Sequence, residues 1–436
     1  MTRFKNPFLS IRTFPSKALS RLRKALAGYR FYVYLAYLGP GIIAVNAGNE
    51  AGGIATYSTV GASFGYSLLW TFIPMTIALI VVQEMCVRMG IVTGQGLADL
   101  IRERFGVRLT ALVMFALLIA NQGVIISQFV GVAQISEMFG IPRFVTVPIA
   151  GALIWVLVVR GSQERVEKVF LLISTVFLCY IASAFFAAPD WSEVGKSLFT
   201  PSLSSAPGYL FTVMALIGTT VTPFMQFFVQ SSTVEKKLDD DDLSLARTDV
   251  AVGTGAAMLV AACIVIAAAA TLHKAGVTTI ESASTAAEAL APVAGAYAKY
   301  LFAVGLFGAS MLAMGVLPLA TAYSISEALG FEKGLSRSFK DAPIFLGIFT
   351  LLLLVGASAA LIPGLPPIRI LLLTQAINGV LLPVILVSIV TLSSNVEIMG
   401  KYRNGMLFRL VAWFVTVIVS ILSLMLLAGT IVDIFS

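Results

Sequence analysis

Long apolar runs alternate with short polar ones along this chain, and the runs outlast anything a soluble core needs. Stretches at 31–60, 66–89, 109–138, 144–160, 166–188, 207–233, 249–272, 296–328, 342–362, 367–393 and 407–433 each hold enough apolar residues to cross a bilayer as a helix. A β-barrel would show shorter segments of alternating polarity. The chain is 58% hydrophobic and 12% charged, about half the charged share of a soluble domain. It reads as an all-α polytopic membrane protein. The first run covers about 30 residues, or ~45 Å at 1.5 Å per residue, so it must tilt or overrun the membrane.

Two runs are interrupted. The first contains Asn46-Ala47-Gly48-Asn49-Glu50-Ala51-Gly52-Gly53. A charge in hydrocarbon costs at least ~2.5 kcal/mol, so Glu50 needs a reason to be there. The glycines beside it weaken the helix. A broken helix frees backbone carbonyls, tolerated in a membrane only beside protein or a water-lined cavity. A carboxylate with freed carbonyls suits a hard cation. The sixth run contains Gly218-Thr219-Thr220-Val221-Thr222-Pro223-Phe224-Met225-Gln226. Pro223 removes a backbone donor there. The interruptions fall in the first helix of helices 1–5 and the first of helices 6–10. Matching breaks in two five-helix halves point to inverted repeats with the substrate site between them. The expected organisation is a tail at 1–30, repeats at 31–188 and 207–393, and an eleventh helix at 407–433.

Charge gives the orientation. Of the 29 Lys and Arg, 24 fall in the tail and alternate loops on one side, which places the N-terminus in the cytoplasm and the C-terminus outside. No apolar signal region with a cleavage site is evident, so no cleaved leader is expected. The net charge of +7 comes from scattered loop residues, which argues against a nucleic-acid partner. Cys86, Cys179 and Cys263 sit in apolar segments and read as structural thiols. The single histidine, His273, makes a histidine-built metal site or an imidazole proton relay a poor fit.

Other polar residues have plainer readings. Gly94–Phe105 reads as an amphipathic surface helix, and Asp239–Asp242 as a solvated helix start. Glu84 and Arg88 are spaced for an i,i+4 pair. Glu137 reads as wetted, and Asp249 as a carboxylate at the start of helix 7. Tyr32, Tyr34 and Tyr37 suit an interfacial aromatic belt. No cofactor box appears, and no nucleophile–base pair or phosphate loop suggests an enzyme.

Gly39-Pro40-Gly41, Ala55-Thr56, Phe64-Gly65-Tyr66-Ser67-Leu68-Leu69-Trp70, Gln83-Glu84, Arg88-Met89-Gly90-Ile91-Val92-Thr93-Gly94, the Gly218–Pro223 run and Leu382-Pro383 resemble the NRAMP family of divalent-metal transporters. The resemblance covers about residues 35–400. It implies the LeuT-type fold, with helices 1 and 6 broken mid-membrane, and proton-coupled import of Mn²⁺ and Fe²⁺. The family's Asp-Pro-Gly-Asn motif falls on Glu50-Ala51-Gly52-Gly53, and its Met-Pro-His motif on Thr222-Pro223-Phe224. A second family histidine falls on Val229, and the acidic pair of helix 3 on Ile125 and Gln128.

These departures resemble the NRAMP-related magnesium transporters. Thioether sulfur selects softer metals, so exchanging it for the Thr222 hydroxyl relaxes exclusion of Mg²⁺ and Ca²⁺. Exchanging asparagine for Gly53 removes a ligand and opens volume for a partly hydrated Mg²⁺, which sheds water reluctantly. The expected metal site is Glu50, Ala51, Gly53, Thr219, Thr222 and Gln375, the last aligning with a family glutamine in helix 10. Asn46, Asn49, Gln226 and Asn378 are expected beside it or along the pathway. The resulting expectation is a monomeric, multi-pass plasma-membrane transporter carrying Mg²⁺, and also Mn²⁺, by alternating access without proton coupling and without a resident cofactor. The alternatives are a proton-coupled Mn²⁺/Fe²⁺ symporter, a LeuT-type carrier of an organic solute, and a receptor that binds metal without moving it.

Overall fold

The computed structural model describes residues 40–204, 208–280, 298–335, 337–362 and 367–435. The basic tail at 1–30, Tyr32, Tyr34 and Tyr37 lie outside the described residues. The described residues form helices joined by short turns and contain no strand.

The first helix is in two pieces, α1a (Pro40–Asn46) and α1b (Ala51–Phe64). α2 spans Phe72–Thr93, α3 Val107–Met138 and α4 Arg143–Arg160. α5 runs from Gln163 through a tighter turn to Phe186. The sixth is again split, into α6a (Tyr209–Thr220) and α6b (Pro223–Glu235). α7 covers Leu243–Ala268, α8 Ala298–Leu329, α9 Pro343–Ala360, α10 Pro367–Ser394 and α11 Met406–Phe435. From α2 onward, 10 helices among the described residues are long and apolar enough to cross a membrane; α1 precedes them. The seventh begins six residues before the expected 249.

The broken helices occupy the centre. α1b packs against α7 and α10, α6a against α10, α6b against α1a, and α3 against α8. α6 is almost wholly enclosed by protein, whereas α4 and α11 turn mostly apolar faces outward. The outward set includes Phe144, Leu153, Phe414 and Leu424. A lipid-facing ring therefore surrounds a polar centre that lipid does not reach.

Polar side chains brace the bundle where the sequence offered bland readings. Arg88 Nε donates to Glu84 Oε1 at 2.9 Å, and Arg247 Nε donates to the same oxygen at 2.8 Å. Arg88 also donates to Asn404 Oδ1 at 2.6 Å and to the Tyr402 carbonyl. The expected pair is thus the middle of a network joining α2, α7 and the α10–α11 turn. Leu97–Phe105 is a surface helix with Leu97, Ala98, Leu100 and Ile101 turned inward. Asp239 caps a short turn before α7 through the Asp241 N–H, and Glu137 accepts from Arg143 Nη2 at 2.9 Å. Asp249 does sit at a helix N-terminus, but not its own. Its Oδ2 accepts from the Gly41 N–H of α1a at 2.8 Å.

Candidate metal centre at the two helix breaks

α1 unwinds over Ala47–Glu50. Gly48 N–H donates to Val45 O and Asn49 N–H to Asn46 O, both at 3.0 Å, which tightens the last turn before the chain leaves the helix. Glu50 is extended (φ −74°, ψ −177°) and caps α1b, its carboxylate accepting from Gly52 N–H at 3.0 Å. An acidic N-cap is favoured by the free N–H groups and dipole of the helix start. Glu50 therefore restarts the helix that the glycines were expected to break.

α6 unwinds through Val221 and Thr222. Pro223 is the first residue of α6b, where its missing N–H costs nothing. The missing donor matters one turn earlier. The helical partner for the Thr219 carbonyl would be the N–H of residue 223, which proline lacks. Thr219 O is thus left free by the sequence itself. Thr222 Oγ1 is buried and has no hydrogen-bond partner among the described residues. The two breaks meet where Thr219 Oγ1 donates to Gly48 O at 3.5 Å.

Glu50 is fully buried, and two amides reach its carboxylate. Gln128 of α3 donates to Oε2 and Gln375 of α10 donates to Oε1. The Gln128 orientation is fixed by backbone: Oε1 accepts from Ala51 N–H at 3.1 Å and Nε2 donates to Val124 O at 2.9 Å. Asn378 Nδ2 donates to Gln375 Oε1 at 3.4 Å, and Asn378 Oδ1 is buried without a partner among the described residues. The carboxylate and turnable amide at the first break, and the freed carbonyl and unpartnered hydroxyl at the second, are oxygen donors of the kind that suit Mg²⁺ or Mn²⁺.

The structure thus brings Glu50 and Gln375 together and joins Thr219 to the break in α1. The volume expected at Gly53 needs correction, and the other expected residues take the following places. Ala51 opens α1b, and its N–H donates to Gln128 Oε1 at 3.1 Å. Gly53 opens no volume: a methyl placed on it would lie 2.6 Å from Gly48 O and 3.0 Å from Thr219 Oγ1. A cavity of about 790 Å³ lies at the C-terminal ends of α1b and α7, lined in part by Asp190, Glu193 and His273; neither Glu50 nor Thr222 lines it. Asn46 Nδ2 turns back to Ile42 O at 2.9 Å, and Asn49 Nδ2 braces the break against Ala257 O of α7 at 3.0 Å. Gln226 lies toward Thr222 O and Cys86.

Two residues were missed. Gln128 was noted only as the position aligned with a lost acid, although a glutamine deep in a 32-residue apolar helix was itself a signal. Met225 packs on the break in α1: a methyl on Gly48 would lie 3.4 Å from its sulfur. A thioether therefore remains near the site despite the hydroxyl at Thr222.

A family model described as natural resistance-associated macrophage protein-like matches residues 41–429. The chain is 28% identical over 396 residues to the divalent metal cation transporter MntH of Deinococcus radiodurans, covering 88% of each. It is 26% identical over 423 residues to the protein of that name from Caldanaerobacter subterraneus subsp. tengcongensis, covering 94% of this chain and 97% of the relative. A crystal structure of the Eremococcus coleocola manganese transporter, in complex with an aromatic bis-isothiourea substituted compound, superposes with TM-score 0.75 at 20% identity. It covers 93% of this chain and 89% of its own. Mhp1, a nucleobase-cation-symport-1 family transporter in a closed conformation, superposes with TM-score 0.58 at 14% identity, covering 89% of each chain. These likenesses give the fold: LeuT-type, two inverted five-helix repeats followed by α11.

Proposed function

Because this chain belongs to the NRAMP family, we propose that it is a divalent-cation transporter of the plasma membrane, preferring Mg²⁺ and also carrying Mn²⁺. The observation that carries this reading is Glu50, a fully buried carboxylate at the break in α1. The freed carbonyl of Thr219 and the unpartnered hydroxyl of Thr222 stand at the facing break in α6. These donors are hard oxygens, and Mg²⁺ is held by one or two carboxylates while keeping several waters. Gln375 must swing off Glu50 to admit a partly hydrated ion. Transport proceeds by alternating access, with the N-terminus cytoplasmic.

Transport is not coupled to protons. The side chains that bond Glu50 are neutral amides, so neither of them can carry a proton with the metal. The membrane potential suffices as driving force, at about 2.3 kcal/mol per charge per 100 mV. A second reading, a proton-coupled Mn²⁺/Fe²⁺ symporter, draws on Met225, whose sulfur beside Gly48 is a soft donor, and on the names of the two bacterial relatives.

The purified chain in liposomes, assayed with Mg²⁺, Mn²⁺ and Ca²⁺ and an internal pH reporter, separates the two. The expected outcome is saturable Mg²⁺ uptake that rises with an inside-negative potential and leaves internal pH unchanged. Acidification that follows metal entry, or Mn²⁺ uptake with none of Mg²⁺, establishes the second reading instead.

A further inference from the structure

N–H donors converge on Glu50: Gly52 N–H at 3.0 Å, with Gly53 N–H beside it, and the side-chain amides of Gln128 and Gln375. They arrive from three different helices. A carrier that moves metal in one net direction must, once per cycle, close around its site with no cation in it. For a buried carboxylate that step is the difficult one, because an unsatisfied charge away from water is strongly disfavoured. A proton can satisfy it, or hydrogen-bond donors can.

We propose that Gln128 is a positioning residue for the return of the empty carrier: with Gln375 it clamps the Glu50 carboxylate and stands in for the cation. The inference rests on the transport reading above. The two glutamines divide the work. Gln128 cannot turn its oxygen to a metal without setting its NH₂ group against the Ala51 N–H and its carbonyl against Val124 O. It therefore remains a donor throughout and is not a ligand. Among the described residues, Asn378 alone holds the Gln375 oxygen, at 3.4 Å, so the Gln375 amide is free to turn when the ion arrives. Glycine at 52 allows the clamp to close, since a methyl there would lie 2.7 Å from Glu50 Oε1 and 3.1 Å from Gln375 Cδ.

The clamp makes a prediction that a purely structural role does not. Net uptake requires the empty return, whereas exchange of external for internal metal does not. In Gln128→Met the side chain keeps its length and loses its donors. Losing a buried hydrogen bond to a charged group slows net Mg²⁺ uptake about ten- to one-hundred-fold. Mg²⁺-for-Mn²⁺ exchange in metal-loaded liposomes falls by less than about threefold, within the range of a minor packing change. Gln128→Asn, a milder change that shortens the reach to Glu50, shows the same split to a smaller degree and tests the idea should the first variant fail to fold. Equal loss in both modes, or net uptake at the wild-type rate, overturns the clamp alone. Wild-type protein that moves no divalent metal in either mode overturns the transport reading and the clamp with it.

Discussion

Glu50→Gln abolishes metal uptake. The substitution keeps the side-chain volume and an oxygen that still accepts from Gly52 N–H, the bond that caps α1b. What it removes is the only formal negative charge assigned to the site. The remaining donors, Thr219 O, Thr222 Oγ1 and the Gln375 amide, are neutral. A divalent ion that gives up part of its water to neutral oxygens alone loses on the order of 3 kcal/mol or more of binding, a factor of about 10². The initial rate of Mg²⁺ uptake into liposomes therefore falls to that of protein-free vesicles. Gel filtration and thermal melting of the variant stay close to wild type, because Gln375 can turn its amide to meet the new one.

Gly218→Val abolishes the folded protein. Gly218 is the point where α6a touches α10. A methyl there would lie 2.7 Å from the Gly379 nitrogen and 3.0 Å from the Gln375 carbonyl carbon. Those atoms are backbone, so no rotamer change relieves the contact. Gly379 mirrors it, a methyl there falling 2.8 Å from Met214 O. Small residues that let two helix backbones approach are a recurrent packing device inside membranes. Forcing the helices apart costs about 3 kcal/mol or more, at the upper end for overpacking. It also drags Gln375 and Asn378 away from Glu50. The expected result is a collapsed monodisperse yield, and in any protein recovered a lower melting temperature with no Mg²⁺ uptake.

The span pattern was legible because an apolar run of bilayer length has few other meanings, and the helices that follow α1 fall close to where the runs placed them. The breaks were legible too, but the reason at the first was misread. Gly52 and Gly53 look like helix breakers in sequence, yet both lie inside α1b. They are glycine because Gln375 and the Gly48 carbonyl come too close for a Cβ. Winding resumes at Ala51 because Glu50 caps it, a role that the glycine-rich sequence around it conceals. The second break was better marked, since the absent N–H of Pro223 frees the Thr219 carbonyl by local geometry alone. Contacts between distant segments left no such trace. Gln128 meets Glu50 across 78 positions and Asp249 caps α1a across 208. Nothing in the spacing of either residue names its partner.

The proposed resting place of the transported metal is against Glu50 at the junction of the two breaks. Crystals soaked in Mn²⁺ and measured for anomalous scattering test it most directly. One strong peak is expected within bonding distance of the Glu50 carboxylate, with the Thr219 carbonyl and Thr222 hydroxyl around it. A peak elsewhere, for example at Asp239–Asp242, with none beside Glu50 would contradict it.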